Sequence, residues 1–238
     1  MKKNVKTPEV ISQEVCEEGK NSNKSKKIHF WYRFTVRDIV ICSFILAMFI
    51  AAKSLNSLIP DFLPYIRFQL IYLLLPIISL VFGWKLSGIT MSIYIFIIAW
   101  LAPGFFIRGI TDSVVKDNGG AYVFLEYLLD YVIPILSLAI IPGLFASFKN
   151  KIFVFMFITI AFTLVFASHF LAGVLIWSSY AQWGYSAMSY SAAANGIIVW
   201  SAYGFAMIFS YPCATRVRIS MKKIFNDEGY NSKGKNAK

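Results

Sequence analysis

Three ionisable side chains stand well inside otherwise apolar stretches of this 238-residue chain: Glu126, Asp130 and His169. A carboxylate at bilayer depth costs about 2.5–3.5 kcal/mol even on lenient insertion scales, so such groups usually face a protein interior or a cavity. Glu126 and Asp130 are four residues apart and share one helix face. His169 opens the string HFLAGVLIWSSYA (169–181), where Gly173 and Trp177 follow at intervals of four. At about 100° per residue these three occupy one helical stripe about 80° wide. That stripe reads either as a lipid-buried face ending in an interfacial tryptophan or as the wall of a pocket. A carboxylate beside aromatic rings suits a flat, nitrogen-rich or cationic ligand, through hydrogen bonds, stacking and cation–π attraction. Asn195 offers a donor and an acceptor to a heteroaromatic edge, and Gly173 lets a ligand approach the backbone.

The elements that must hold these residues are membrane helices. The chain is 58% hydrophobic and only 15% charged, with a mean hydropathy of +0.62. Its apolar runs reach the roughly twenty residues needed to cross a bilayer. The fold class expected is an all-α integral membrane protein with six transmembrane helices, at 38–59, 64–83, 86–104, 121–148, 152–177 and 187–213. Pro76 interrupts the second, and Arg67 blurs its start. Residues 1–37 read as a disordered basic tail, 38–213 as the membrane domain with its binding site, and 214–238 as a second basic tail. No signal-peptide pattern opens the chain. Cys16, Cys42 and Cys213 have no metal or disulfide spacing, and neither a metal nor a cofactor is expected.

Lysine and arginine set the orientation. Nineteen lie in the two tails and at Lys85, Lys149 and Lys151; only Lys53, Arg67, Arg108 and Lys116 fall on the other side. Both termini are therefore expected in the cytoplasm. The net charge of +11 follows from this topology and from attraction to anionic headgroups, and a nucleic-acid partner is not expected. In this frame Glu126 lies about 7 Å, and His169 about 12 Å, from the outer ends of their helices. Tyr190 and Asn195 fall in the outer half of the sixth span. Separate segments thus deliver a carboxylate, an imidazole, an amide and aromatics to one depth, as an externally open pocket requires. Tyr190 and Asn195 stand about 140° apart on a regular helix, so both serve one pocket only if Tyr190 precedes that helix.

Ser43, Ala47 and Ala51 are spaced by four in SFILAMFIA, which lets a second helix approach closely in lipid. That face serves either packing within the chain or a membrane partner. No Walker A, H-E-x-x-H or G-x-S-x-G pattern is present, so neither ATP hydrolysis nor other enzymatic activity is expected of the chain itself.

The chain resembles the thiamine-specific substrate-binding (S) components of energy-coupling factor (ECF) vitamin transporters. The resemblance rests on AMFIA (47–51), FLEYLLDY (124–131), HFLAGVLIWSSYA and YSAAANG (190–196), in that order and spacing. It implies that Glu126 hydrogen-bonds an aminopyrimidine with Tyr190 and Asn195 beside it, that Trp177 stacks on the ring, and that His169 lines the pocket. Tyr127 and Gly173 would lie near the thiazolium and hydroxyethyl portion. Tyr122 is a further candidate lining residue. The family closes its site with aromatics between the first two helices, here within PDFLPYIRF (60–68), where Phe62 and Tyr65 are the candidates. It further implies capture of thiamine at a bacterial plasma membrane, then docking through Ser43, Ala47 and Ala51 on a transmembrane coupling subunit driven by two ATPase subunits. Other readings stay open: an S component for another aminopyrimidine such as hydroxymethylpyrimidine, a proton-coupled transporter using Glu126, Asp130 and His169 as a relay, or a membrane scaffold.

Overall fold

The computed structural model describes residues 34–60, 68–144 and 151–235, which are predominantly helical and contain no strand. The helices are α1 (Val36–Asn56), α2 (Leu70–Phe82), α3 (Trp84–Leu101), α4 (Gly120–Leu144), α5 (Lys151–Leu175) and α6 (Ala187–Lys235). α1, α3, α4, α5 and the Ala187–Met221 part of α6 are long and apolar enough to cross a membrane. α2 has 13 residues. At 1.5 Å per residue it is about 20 Å long, short of the roughly 30 Å hydrocarbon layer.

Several expected boundaries move, each for a local reason. The second helix starts at Leu70 rather than at residue 64, because Gln69 is extended (φ −104°, ψ 102°). Asn56, at the end of α1, supplies the missing cap: its Oδ1 accepts from the Leu70 N–H (2.9 Å), and its Nδ2 donates to Gln69 Oε1 (2.7 Å). Gly83 (φ +82°) separates α2 from α3 in a conformation that favours glycine. α5 stops at Leu175, so Trp177 begins a 3₁₀ turn (Trp177–Tyr180) instead of ending the helix. α6 runs on past Cys213 to Lys235. Between α3 and α4 the chain makes short turns, at Pro103–Phe106, Arg108–Thr111 and Ser113–Asp117.

α4 is central, packing on α2, α3 and α5, while α6 packs on α2 and α5. α1 leans on α2 and α3 and is otherwise exposed. The core between them includes Phe49, Leu75, Met91, Tyr94, Leu138 and Phe162. Outward faces are apolar too: Phe44, Phe96, Ile160, Leu164, Ile197 and Ile208 are all exposed. A surface with its apolar side chains turned outward matches lipid rather than water as the surrounding solvent.

Close approach of α2, α3 and α4 depends on small residues. Ser79 and Ser87 both donate to the Ala139 carbonyl, at 2.7 and 2.5 Å. Beside them Gly143 leaves no room for a side chain: a Cβ there would lie 2.6 Å from the Trp84 backbone nitrogen and 2.7 Å from the Ser79 carbonyl. At the end of α2, Arg218 from α6 donates to the Leu80 carbonyl, which has no acceptor role left inside the helix. Gly143→Ala should therefore destabilise the detergent-solubilised protein by about 1–3 kcal/mol, the usual cost of overpacking. Gly104→Ala, where a Cβ meets nothing within 4 Å, should leave the melting temperature near wild type. Thermal unfolding of the two variants checks the contrast.

Candidate functional site

A cavity of about 410 Å³ opens where α1 ends, α2, α4 and α6 begin, and α5 ends. This is the end of the bundle away from the start of α1 and from Arg218 of α6 on α2. The volume lies within the range of about 300–1,000 Å³ usual for small-molecule sites. Its walls are Lys53 and Asn56 of α1, Gln69 with Ile71 and Tyr72 at the start of α2, and Glu126, Asp130, Tyr131 and Ile135 of α4. His169 and Gly173 of α5, Trp177 and Tyr180 of the following turn, and Tyr190, Ser191, Ala194, Asn195, Ile198 and Val199 of α6 complete them, with residues of the 105–112 segment.

Glu126 is 1% exposed. Among the described residues its Oε2 has no hydrogen-bond partner, and neither does the buried hydroxyl of Tyr190. An unpaired buried polar atom costs about 1–3 kcal/mol, and more when charged. Both unpaired atoms belong to side chains that line the same cavity. The turn at 108–111 closes over the carboxylate through Gly109, where a Cβ would collide with Glu126 and stand 3.2 Å from the Trp177 ring.

The backbone of α4 explains how so many of its polar groups reach the cavity. On a regular α-helix Glu126 and Tyr131 would stand about 140° apart. Tyr127–Val132 is instead a π turn, whose i→i+5 bonding brings positions five apart onto one side. Glu126, Asp130, Tyr131 and Ile135 consequently all line the cavity. Lys53 lies over the Tyr131 ring, 5.5 Å from its centroid.

A hydrogen-bonded chain crosses the site. His169 Nδ1 lies 2.7 Å from Asp130 Oδ1, and its Nε2 meets the Tyr72 hydroxyl. The indole N–H of Trp177 donates to Asp130 Oδ2 at 3.0 Å. Asn195 Nδ2 donates to the His169 carbonyl (3.2 Å) and to Ser191 Oγ (3.1 Å), and Ser191 donates to the Phe170 carbonyl (2.9 Å). Gly173 lets Ser191 and Asn195 come this close, since a Cβ there would strike the serine. At the rim, the Tyr180 hydroxyl donates to Asp112 at 3.0 and 3.1 Å.

Of the residues expected from sequence, Glu126, His169, Gly173, Trp177, Tyr190 and Asn195 come together on this cavity. Tyr190 does so from within α6, not from ahead of it. The lining face of α6 is broad enough, from Tyr190 to Val199, to take in both it and Asn195. Tyr127 and Tyr122 do not line the cavity. The Tyr127 hydroxyl donates to the Ile95 carbonyl (2.8 Å) and receives the Trp100 indole N–H (3.3 Å), so it ties α4 to the π turn of α3 at Tyr94–Ile98. Tyr122 is 37% exposed. Phe62 and Tyr65 lie outside the described residues. Sequence reasoning missed Tyr72, Gln69 and Asn56 and the whole 105–112 wall. Gly109 in the stretch FFIRGITD was the available signal there.

A family model described as thiamine transporter protein (Thia_YuaJ) matches residues 39–220, which is most of the chain. No curated protein matches it.

Because the Gly109 contact is with a carboxylate at the tip of a side chain, Gly109→Ala should push Glu126 aside rather than unfold the bundle. Thiamine affinity is expected to fall about tenfold or more, as for a lost charged hydrogen bond, with little change in melting temperature. Calorimetric titration and thermal unfolding of the same preparation check both halves.

Proposed function

This chain belongs to the thiamine transporter family, and from that premise we propose that it is the substrate-binding subunit of an ECF-type importer, taking thiamine into the cavity beneath Gly109. The observation that carries the reading is the pair of buried, unpaired polar atoms, Glu126 Oε2 and the Tyr190 hydroxyl, on side chains that line the cavity from two different helices. An aminopyrimidine supplies what they lack: its exocyclic amine donates to the carboxylate, and a ring nitrogen accepts from the hydroxyl. Trp177 offers a flat surface for stacking, and Asn195 bounds the edge. The cationic thiazolium then lies towards His169 and Gly173, near Asp130. Tyr127 has no part in this arrangement, because its hydroxyl is engaged with Ile95.

We place α2 as a sixth crossing and both termini in the cytoplasm of a bacterial cell. The ends of successive helices alternate around the cavity, which supports six passes. Lys85, Lys151, Arg216 and Arg218 sit at the opposite end of the bundle, as the positive-inside rule requires if the cavity faces out. Ser43, Ala47 and Ala51 are exposed on α1, the least buried of the long helices. They form the face on which a coupling subunit would dock, carrying its two ATPases. The transporter then moves its substrate without altering it, and the chain performs no covalent chemistry.

A proton-coupled mechanism is the second reading, favoured by the Asp130–His169–Tyr72 chain. Among the described residues, however, no hydrogen bond joins Glu126 to that chain. Tryptophan fluorescence of the purified protein decides between the main possibilities. Thiamine should quench it saturably, Trp177→Phe should remove most of the quenching, and Glu126→Gln should weaken binding by about tenfold or more. Hydroxymethylpyrimidine should bind more weakly than thiamine. Uptake by the chain alone into liposomes under a proton gradient would contradict the importer reading.

A further inference from the structure

We propose that Asp130 is the positioning residue of this site: its carboxylate fixes the plane of the Trp177 indole and the tautomer of His169, so the stacking surface is set before a ligand arrives. The proposal rests on the reading that the cavity takes thiamine, and deepens it. Trp177 lies beyond the end of α5 at Leu175, in a short 3₁₀ turn. Its ring packs on Tyr180 and on the cluster of Val115, Leu129, Ala172 and Ile176, but its N–H is held by Asp130. Its indole is tied across the site to Oδ2 of Asp130 at 3.0 Å. The other oxygen, Oδ1, takes His169 Nδ1 at 2.7 Å. One carboxylate thus uses both oxygens on two cavity walls that come from a different part of the chain.

The chemistry of the acceptor assigns the protons. A carboxylate only accepts, so in the neutral imidazole Nδ1 carries the hydrogen and Nε2 accepts from the Tyr72 hydroxyl. Both ring nitrogens are then committed, and His169 presents its ring rather than a free nitrogen to the cavity. Asparagine would keep the two ties only by reversing the tautomer: its oxygen accepts from the indole, its NH₂ donates to Nδ1, and Nε2–H then donates to the Tyr72 hydroxyl. Alanine removes both ties.

The test has one arm without ligand and one with it. In ligand-free protein, the near-ultraviolet circular dichroism of wild type minus Trp177→Phe isolates the Trp177 signal. Asp130→Ala, which removes both acceptors, is expected to diminish that signal, and Asp130→Glu, which keeps two acceptors, to restore part of it. In the thiamine arm, Asp130→Ala should weaken affinity about tenfold in the wild-type background and clearly less in the Trp177→Phe background, since contacting groups are not additive. An unchanged Trp177 signal together with unchanged affinity overturns the proposal, and so does an equal loss in both backgrounds. Wild-type protein labelled with ¹⁵N-tryptophan supplies a check that needs no folded Asp130 variant. The Trp177 indole N–H, assigned by its absence in Trp177→Phe, should exchange slowly with solvent, and rapid exchange overturns the proposal. If wild type fails to bind thiamine, the functional reading falls while the circular dichroism and exchange arms still judge Asp130.

Discussion

A carboxylate taken out of water loses hydration worth several kcal/mol, and only close partners return it. Glu126 stands in that position, 1% exposed, with one oxygen unpaired among the described residues. A protein that needed this residue only for stability would have given it a donor or replaced it with an apolar side chain. The surrounding architecture instead keeps that oxygen without a protein donor. The π turn of α4 swings Glu126, Asp130 and Tyr131 to one side, Gly109 lets the 108–111 turn close over the carboxylate, and Tyr190 adds a second unsatisfied group. Polar groups that the protein itself does not pair are what make a mismatched ligand costly, because the wrong occupant leaves them unpaired as well.

Several other polar groups of the cavity are paired within the protein, and the contrast divides the site into two kinds of residue. Asp130, His169, Tyr72 and Trp177 bond one another, and Asn195 and Ser191 bond the α5 backbone. Such connected networks hold their members in one geometry. Tyr127 does the same on the far side of α4, joining the π turns of two helices. A rigid frame around a few unpaired groups reduces the ordering needed when a ligand enters. The lightly packed α1 is a different matter, since its exposed small residues take no part in that frame.

Much of this was legible in the sequence because membrane insertion restricts what a chain can do. Charges are so costly at depth that Glu126, Asp130 and His169 announced themselves. Hydropathy located the long helices to within a few residues, except for the end of α6, which runs to Lys235 instead of 213. What escaped was set by contacts between elements. The start of α2 depends on Asn56, fourteen residues away along the chain, so no local signal marks Leu70. Tyr127 sits beside Glu126 in the same motif, yet a π turn that periodicity does not reveal directs it to α3. The 105–112 wall lacked any helical period, and its role follows only from the glycine that admits it beside Glu126.

The most direct measurement is an experimental structure of the protein with thiamine bound. In that structure the aminopyrimidine should lie within hydrogen-bond distance of Glu126 Oε2 with its ring against Trp177, and the Asp130 bonds to His169 and Trp177 should be intact. Thiamine found elsewhere, or bound in this cavity with Glu126 Oε2 still unpaired, would contradict it.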